Sequence, residues 1–161
     1  MRKKSLLLIA IEIMAVLLAG CGYQLINPEQ KTVYVGYFSN HTLQPGIDLF
    51  LVRNLKKTLA EAPGFMVVSK TKDAHLIING KIQQFVRTPE FIAESDQIIM
   101  ASYRVSVLVE IDRDGKTVGQ KLDQTYVLEL SRGLRTDQLL DILSKKIAQD
   151  IYFRLIKADE R

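Results

Sequence analysis

Chemically reactive side chains are few in this chain, and the most distinctive is its single cysteine, Cys21. One cysteine cannot form an internal disulfide or a multi-cysteine zinc site, because both need several thiols at defined spacings. The two histidines, His41 and His75, are accompanied by no HExxH pair and no serine elbow, and no glycine-rich phosphate loop follows a predicted strand. We therefore expect a protein that is not an enzyme and that uses no cofactor and no metal.

The residues before Cys21 have the three-part layout of a secretory signal peptide. Residues 2–4 are basic, residues 5–18 are mostly apolar apart from Glu12, and two small residues follow. The apolar run is shorter than the roughly 20 residues that cross a bilayer as a helix. Residues 1–20 are therefore predicted to be a cleaved signal peptide rather than a permanent membrane span.

Leu-Ala-Gly-Cys, residues 18–21, also has the form of a bacterial lipobox. In such a site the cysteine becomes the first residue after cleavage and carries diacylglycerol on its sulfur and an acyl chain such as palmitate on its amino group. Several chains hold a protein at a membrane where one barely does, since each buried methylene contributes about 0.8 kcal/mol. The alternative is a free or buried thiol behind an ordinary signal peptide. Gly22, where retained lipoproteins carry Asp, favours the outer membrane over the inner one.

The rest of the mature chain is predicted to be a lipidated tether followed by one domain. Residues 21–30 contain Asn27-Pro28 and form the tether, which spans no more than roughly 30 Å. Residues 31–157 have the length and apolar content of a single domain, and residues 158–161 form a short tail. The formal charge is +4, and loss of residues 1–20 would leave +2. This excess is too small to indicate nucleic-acid binding.

Hydrophobic periodicity predicts the order strand, helix, strands, helix. The predicted elements are a strand at 31–38, an amphipathic helix at 47–62, a short strand at 65–68, longer strands at 74–87, 101–112 and 118–130, and a helix from an N-cap at Thr136 to Leu155. Asp114-Gly115 predicts a tight hairpin between the last two strands. This order indicates an α+β two-layer sandwich, in which two helices pack on one face of a mostly antiparallel sheet of about four strands.

Three arginines are predicted to gather at one end of this sheet. The loop at 88–98 and the connection at 131–135 lie at the same end, because one precedes and the other follows the long hairpin. Arg87, Arg132 and Arg135 therefore lie beside the N-terminus of the last helix, whose free amides favour anions. A phosphate-bearing ligand suits this corner, and the alternative is solvated arginines offset by nearby acids.

The polar side of the long hairpin is also open to two interpretations. Its side chains are hydrophilic over both strands: Ser102, Arg104, Ser106, Glu110, Lys121, Asp123, Thr125 and Glu129. Most such faces meet water. The same pattern fits the polar lumen of an outer-membrane barrel.

Several short motifs resemble those of the LptE family of lipopolysaccharide-assembly lipoproteins. They are Cys-Gly-Tyr-Gln-Leu at 21–25, the pattern Val35, Phe38, Asn40, Thr42, Pro45 and Gly46, Asp-Ala at 73–74 leading into Ile-Ile-Asn-Gly-Lys-Ile at 77–82, and Ala-Ser-Tyr-Arg-Val at 101–105. The resemblance covers nearly all of the mature chain, although each motif alone is weak. It departs from the family at 91–98, which carries acids and no basic residue, and in lacking a long C-terminal tail.

This resemblance implies a function in the outer membrane of a Gram-negative bacterium. It implies a lipid-anchored protein on the periplasmic side that plugs the lumen of an LptD-like barrel, assists its assembly and binds lipopolysaccharide for insertion into the outer leaflet. Arg132 or Arg135 occupies the second of the family's ligand-contacting loops, and Arg87 is a further candidate. The alternative is a periplasm-facing envelope lipoprotein that regulates another complex, such as a peptidoglycan synthase.

Overall fold

A computed structural model of the chain describes residues 30–92, 98–130 and 134–159. The predicted signal peptide, residues 21–29 of the tether with Cys21, Arg132 and the last two residues of the tail lie outside the described residues. The elements in order are β1 (Lys31–Asn40), α1 (Ile47–Glu61), β2 (Phe65–Val67), a single 3₁₀ turn (Thr71–Asp73), β3 (Leu76–Ile92), β4 (Ile98–Arg113), β5 (Lys116–Glu129) and α2 (Thr136–Asp159). Neither helix in the described part of the chain is long and apolar enough to cross a membrane.

The five strands form one mixed sheet in the order β2-β1-β3-β4-β5. β1 runs parallel to β2 and β3, and the long β3-β4-β5 portion is antiparallel. The predicted α+β fold with two helices is confirmed. The fifth strand is β2, which has only three residues and pairs with the start of β1.

Alternating apolar residues of the sheet and the apolar stripes of both helices form the core. On β4 the buried side chains recur at every second position from Ala101 to Ile111, as expected for a strand with one covered face. The helices contribute buried residues that recur every three or four positions: Ile47, Leu51, Leu55 and Leu59 from α1, and Leu140, Leu143, Ile147, Ile151 and Leu155 from α2. Both helices therefore cover the same face of the sheet, as predicted.

The hairpin between β4 and β5 turns at Asp114-Gly115, as predicted. Both residues have positive φ, 52° and 78°. Asp and Gly tolerate this left-handed conformation at little cost. Asp112 supports the turn, since its Oδ1 accepts a hydrogen bond from the Gly115 N–H at 3.0 Å.

Two element boundaries differ from the prediction. β3 continues to Ile92 through Pro89, although residues 88–98 were predicted to be a loop. Proline is tolerated there because β1 accompanies β3 only as far as Ile82, so the later part of β3 is an edge strand. The last helix begins at Thr136, and Arg135 takes the capping position, since its carbonyl accepts the first helical bond from the Leu139 N–H. The predicted N-cap at Thr136 was therefore wrong by one residue.

Candidate functional site

The sheet has two ends with different neighbours, which we call the turn end and the loop end. The turn end holds the β4-β5 turn and the first residue of β1, because Val33 pairs with Leu76 and Leu76 pairs with Arg113. The loop end holds the β3-β4 connection and the start of α2. The predicted tether therefore enters the domain at the turn end, and the predicted arginine corner lies at the opposite one.

Arg87 lies at the loop end on the helix-covered face of the sheet, directly opposite Tyr103 of β4. Tyr103 is 1% exposed and packs in a small cluster with Ala101 and Leu143. Its hydroxyl has no hydrogen-bond partner among the described residues. Burial raises the pKa of Tyr103, and the charge of Arg87 lowers it in part. A buried hydroxyl without a partner requires a physical explanation, which makes Tyr103 a further candidate at this end.

Arg135 is held at the N-terminus of α2 by two side chains of the helix's first turn. The backbone N–H of Arg135 donates to Oε1 of Gln138 at 3.1 Å, which is half of a capping box. Its guanidinium donates to both carboxylate oxygens of Asp137. This pair lowers the pKa of the Asp137 carboxyl and raises that of Arg135. The positive charge that was predicted to attract an anion is therefore shared with an acid of the same helix.

Large apolar side chains are also exposed at the loop end. They are Phe91, Ile92, Met100 and Val127. Phe91 lies opposite Met100, and Val127 lies opposite Ser102 on the neighbouring strand, so these side chains extend over all three long strands. Met100 and Val127 lie on the uncovered face with Ser102, whereas Arg87 lies on the covered face, so the loop end carries its apolar and cationic groups on opposite faces of the sheet.

The structure brings two of the three predicted arginines, Arg87 and Arg135, to the same end of the sheet. Arg132 lies outside the described residues, as does the predicted lipid attachment site at Cys21. Sequence reasoning missed Tyr103 as a site residue. Its alternation with apolar neighbours placed it on the covered face, but no sequence signal shows that its hydroxyl lacks a partner.

The two histidines have separate surroundings. Nδ1 of His75 lies 2.7 Å from Oγ1 of Thr32, and the His75 N–H donates to the Thr32 carbonyl. His41 follows the last residue of β1, and its backbone N–H donates to the carbonyl of Ile82 in β3. In the described ranges, no group of three or more metal-ligating side chains comes together.

The uncovered face of the β4-β5 hairpin is polar over most of its length, as its sequence predicted, with Met100 and Val127 exposed at its loop end. Lys121 and Asp123 form an exposed ion pair at 2.9 Å on this face. Ser102 and Ser106 are buried on it although no helix covers them. Fourteen residue pairs, from Met100-Glu129 to Arg113-Lys116, make this ladder about 45 Å long. The 24-residue α2 spans about 36 Å, so the hairpin is longer than the helix that covers it.

No protein-family model matches the chain, and no curated protein does. Among solved structures, the chain is similar to a hypothetical protein of Chlamydia trachomatis, with a TM-score of 0.55, 10% identity and coverage of 78% of this chain and 95% of that one. It is also similar to a variant of the PelC dodecamer of Paraburkholderia phytofirmans, with a TM-score of 0.48, 15% identity and coverage of 75% and 85%. Rare lipoprotein B of Shewanella oneidensis gives a TM-score of 0.45 at 9% identity, with coverage of 78% and 96%. At these identities the likeness to the first structure shows the fold alone.

Proposed function

We propose that this protein is an outer-membrane lipoprotein that plugs an LptD-like barrel, assists its assembly and binds lipopolysaccharide for insertion into the outer leaflet. The observation that carries this proposal is the loop end of the sheet, where Arg87 and Arg135 lie on the helix side and the exposed Met100 and Val127 lie on the uncovered face. Lipopolysaccharide presents phosphates and acyl chains together, and arginine suits phosphate because its planar guanidinium donates in pairs.

The distance between the two ends of the sheet also supports the proposal. A tether from Cys21 would reach the domain at Lys31, at the turn end. The ladder then extends about 45 Å to the loop end. This exceeds the roughly 30 Å of bilayer hydrocarbon. A domain aligned with the axis of a barrel would thus be anchored at the periplasmic leaflet and present its loop end to the outer one.

The polar, uncovered hairpin face is the surface available to such a barrel. Lumen-facing side chains of outer-membrane barrels are hydrophilic, so a polar sheet face matches them better than an apolar one. The helix-covered face is occupied by the core and offers no comparable flat surface.

Affinity purification of the lipidated protein in mild detergent tests the proposal. We expect an outer-membrane barrel to co-purify, and we expect depletion of the protein to reduce surface lipopolysaccharide. Co-purification of a peptidoglycan synthase, with surface lipopolysaccharide intact, would instead favour a regulator of cell-wall synthesis. Labelled palmitate should enter the wild type and not Cys21→Ser.

Paired substitutions test the ligand end separately. Arg87→Ala with Arg135→Ala should weaken lipopolysaccharide binding by the purified protein, whereas Lys116→Ala at the turn end should not. Lys116 is a control because it is an exposed cation at the opposite end of the same sheet. Equal binding by both variants would refute a ligand site at the loop end.

A further inference from the structure

The edge of β1 that faces away from β3 is paired over only its first three residues. β2 covers Lys31 to Val33 and ends there. The next seven residues, 34–40, have no strand beside them on that edge in the described part of the chain. At about 3.3 Å per residue, this open edge is about 23 Å long.

The hydrogen bonds of the first residues of β1 show which backbone amide groups point toward this edge. The Lys31 N–H donates to the Gly64 carbonyl, and the Val33 carbonyl accepts from the Val68 N–H, both on the β2 side. Because alternate residues of a strand direct their amide groups to the same side, the backbone amide group of Val35 points to the open edge.

A register shift then changes which residues face outward. The Tyr37 N–H donates to Oδ1 of Asn79 at 3.2 Å, on the β3 side. Further on, the His41 N–H donates to Ile82 of β3. By alternation, the backbone amide group of Phe38 therefore points to the open edge. Its side chain is buried in the core.

The open edge lacks the charges and the proline that block strand addition, and the register shift between Val35 and Phe38 is its one irregularity. Natural proteins protect exposed edges with charged residues, proline or a covering element. Residues 34–40 read YVGYFSN, without a charge or a proline. A Cβ at Gly36 would lie 2.1 Å from Oδ1 of Asn79, so a larger residue there would displace the side chain that accepts the bond from the Tyr37 N–H.

A groove of about 390 Å³ runs along this edge, beneath one flank of α1. Its lining residues are Gly36, Tyr37 and Phe38 from β1 and Asp48, Leu49, Val52, Arg53 and Lys56 from α1. The opposite flank of α1 contacts α2, where Asn54 donates to Asp141. Leu49 and Tyr37 are each about 70% exposed, so apolar surface is available to an occupant.

The charges around the groove favour an acidic group at its Lys56 end, because Asp48 lies two turns of α1, about 12 Å, from Lys56. Arg53 is already paired with Asp141 of α2. Asp48 lies in the first turn of α1, where the helix dipole stabilises a carboxylate. Lys56 is exposed, and within the described ranges it forms no ion pair. A carboxylate on the occupant would complement it.

We infer that the open edge of β1 is a docking site for an extended segment of a partner protein. The segment adds as a strand beside Val35 and Phe38, packs alternate apolar side chains against Leu49 and Val52, and directs a carboxylate to Lys56. A second copy of this chain does not fit, because pairing β1 with β1 would place two copies of α1 over the same two strands, with which α1 packs. This inference does not depend on the proposed barrel or on lipopolysaccharide.

The experiment uses the full mature protein in mild detergent and a synthetic probe, the peptide acetyl-TVTVTETVT-amide, in which one Glu shares a face with three Val side chains, because Lys56 lies on the same helix as Leu49 and Val52. At about 1 mM probe, hydrogen exchange over 34–40 is expected to slow by about tenfold, with no change in β5. A peptide N-methylated at alternate amides should have no effect, because strand addition needs its backbone donors. Unchanged exchange with the probe, or equal protection by the N-methylated peptide, would overturn the inference.

A charge exchange tests the chemistry of the partner. Lys56→Glu should lower the affinity for the acidic probe severalfold and raise the affinity for the same peptide with Lys in place of Glu. Lys146→Glu, at an exposed lysine of α2, is the matched control and should leave both affinities unchanged. If Lys56→Glu and the wild type bind both peptides with equal affinity, the inference that the partner carries a carboxylate is overturned. Val35→Pro should abolish protection; if that variant fails to fold, the Lys56→Glu comparison decides the matter.

Discussion

The unpartnered hydroxyl of Tyr103 leads to a prediction of unusual sign, that Tyr103→Phe stabilises the fold. The ring is 1% exposed and packs against Phe85 with ring centroids 5.8 Å apart, contacts that phenylalanine would keep. Burying a hydroxyl without a hydrogen bond costs about 1 to 3 kcal/mol. Removing the oxygen also loses some dispersion contact. We therefore expect the free energy of unfolding to rise by about 1 kcal/mol.

Tyr126 provides the matched comparison, because the same substitution there removes a hydrogen bond. Its hydroxyl donates to Oδ2 of Asp150 at 2.6 Å, and the ring is half-buried beside α2. A bond to a charged group contributes about 1.5 to 3 kcal/mol, and partial hydration of the carboxylate in the variant reduces the loss. We expect Tyr126→Phe to lower the free energy of unfolding by about 1 kcal/mol.

Urea unfolding followed by circular dichroism measures both changes on the chain without residues 1–20 and with Cys21→Ser, which prevents acylation. With an m-value of about 1 to 3 kcal/mol/M, 1 kcal/mol shifts the urea midpoint by about 0.3 to 1 M, so the midpoints of the two variants should lie on opposite sides of the wild-type midpoint. Destabilisation by Tyr103→Phe equal to that of Tyr126→Phe would refute the reasoning, since it would show that the Tyr103 hydroxyl has a partner in solution.

Three further predictions concern packing, charge and pH. Gly80→Ala should lower the urea midpoint by the equivalent of about 1 to 3 kcal/mol, because a Cβ there would lie 2.5 Å from Cε1 of Phe38; a wild-type midpoint would show that β1 and β3 can separate at no cost. Asp137→Asn should release Arg135 and tighten lipopolysaccharide binding by about two- to fivefold in a fluorescence titration, and unchanged affinity would exclude Arg135 from the site. Burial and the bond to its acceptor carboxylate raise the pKa of Tyr126 in the folded state, so its contribution to stability is complete below about pH 10 and is lost as the pH rises further. Alkaline urea titrations should show this loss in the wild type and a smaller one in Tyr126→Phe.

The period of two in β4 was enough to predict which face of the sheet meets the helices. Every second residue from Ala101 to Ile111 is apolar, and a strand can bury only one of its alternating sets under a single layer of helices. The turn at Asp114-Gly115 was predictable for a similarly local reason, since few residues tolerate two consecutive positive φ values.

The continuation of β3 through Pro89 was not predictable in this way. A proline within a strand is normally read as its end, and it is tolerated here only because β1 diverges from β3 before that point. The sequence offered Asp137 among the acids that could offset the arginines, but it did not show that Arg135 donates to both of its oxygens, because that geometry depends on where the helix begins.

The sequence alone determined the layers of this protein and the order of its elements, and it predicts a lipobox at Cys21, because periodicity, turn residues and short motifs are properties of neighbouring residues. Only the tertiary structure decided that β2 is too short to cover β1, that Tyr103 is buried without a partner and that Arg87 and Arg135 share one end of the sheet. These features depend on where distant segments stop relative to one another. Strand pairing and burial between such segments are settled by the packing of the whole domain.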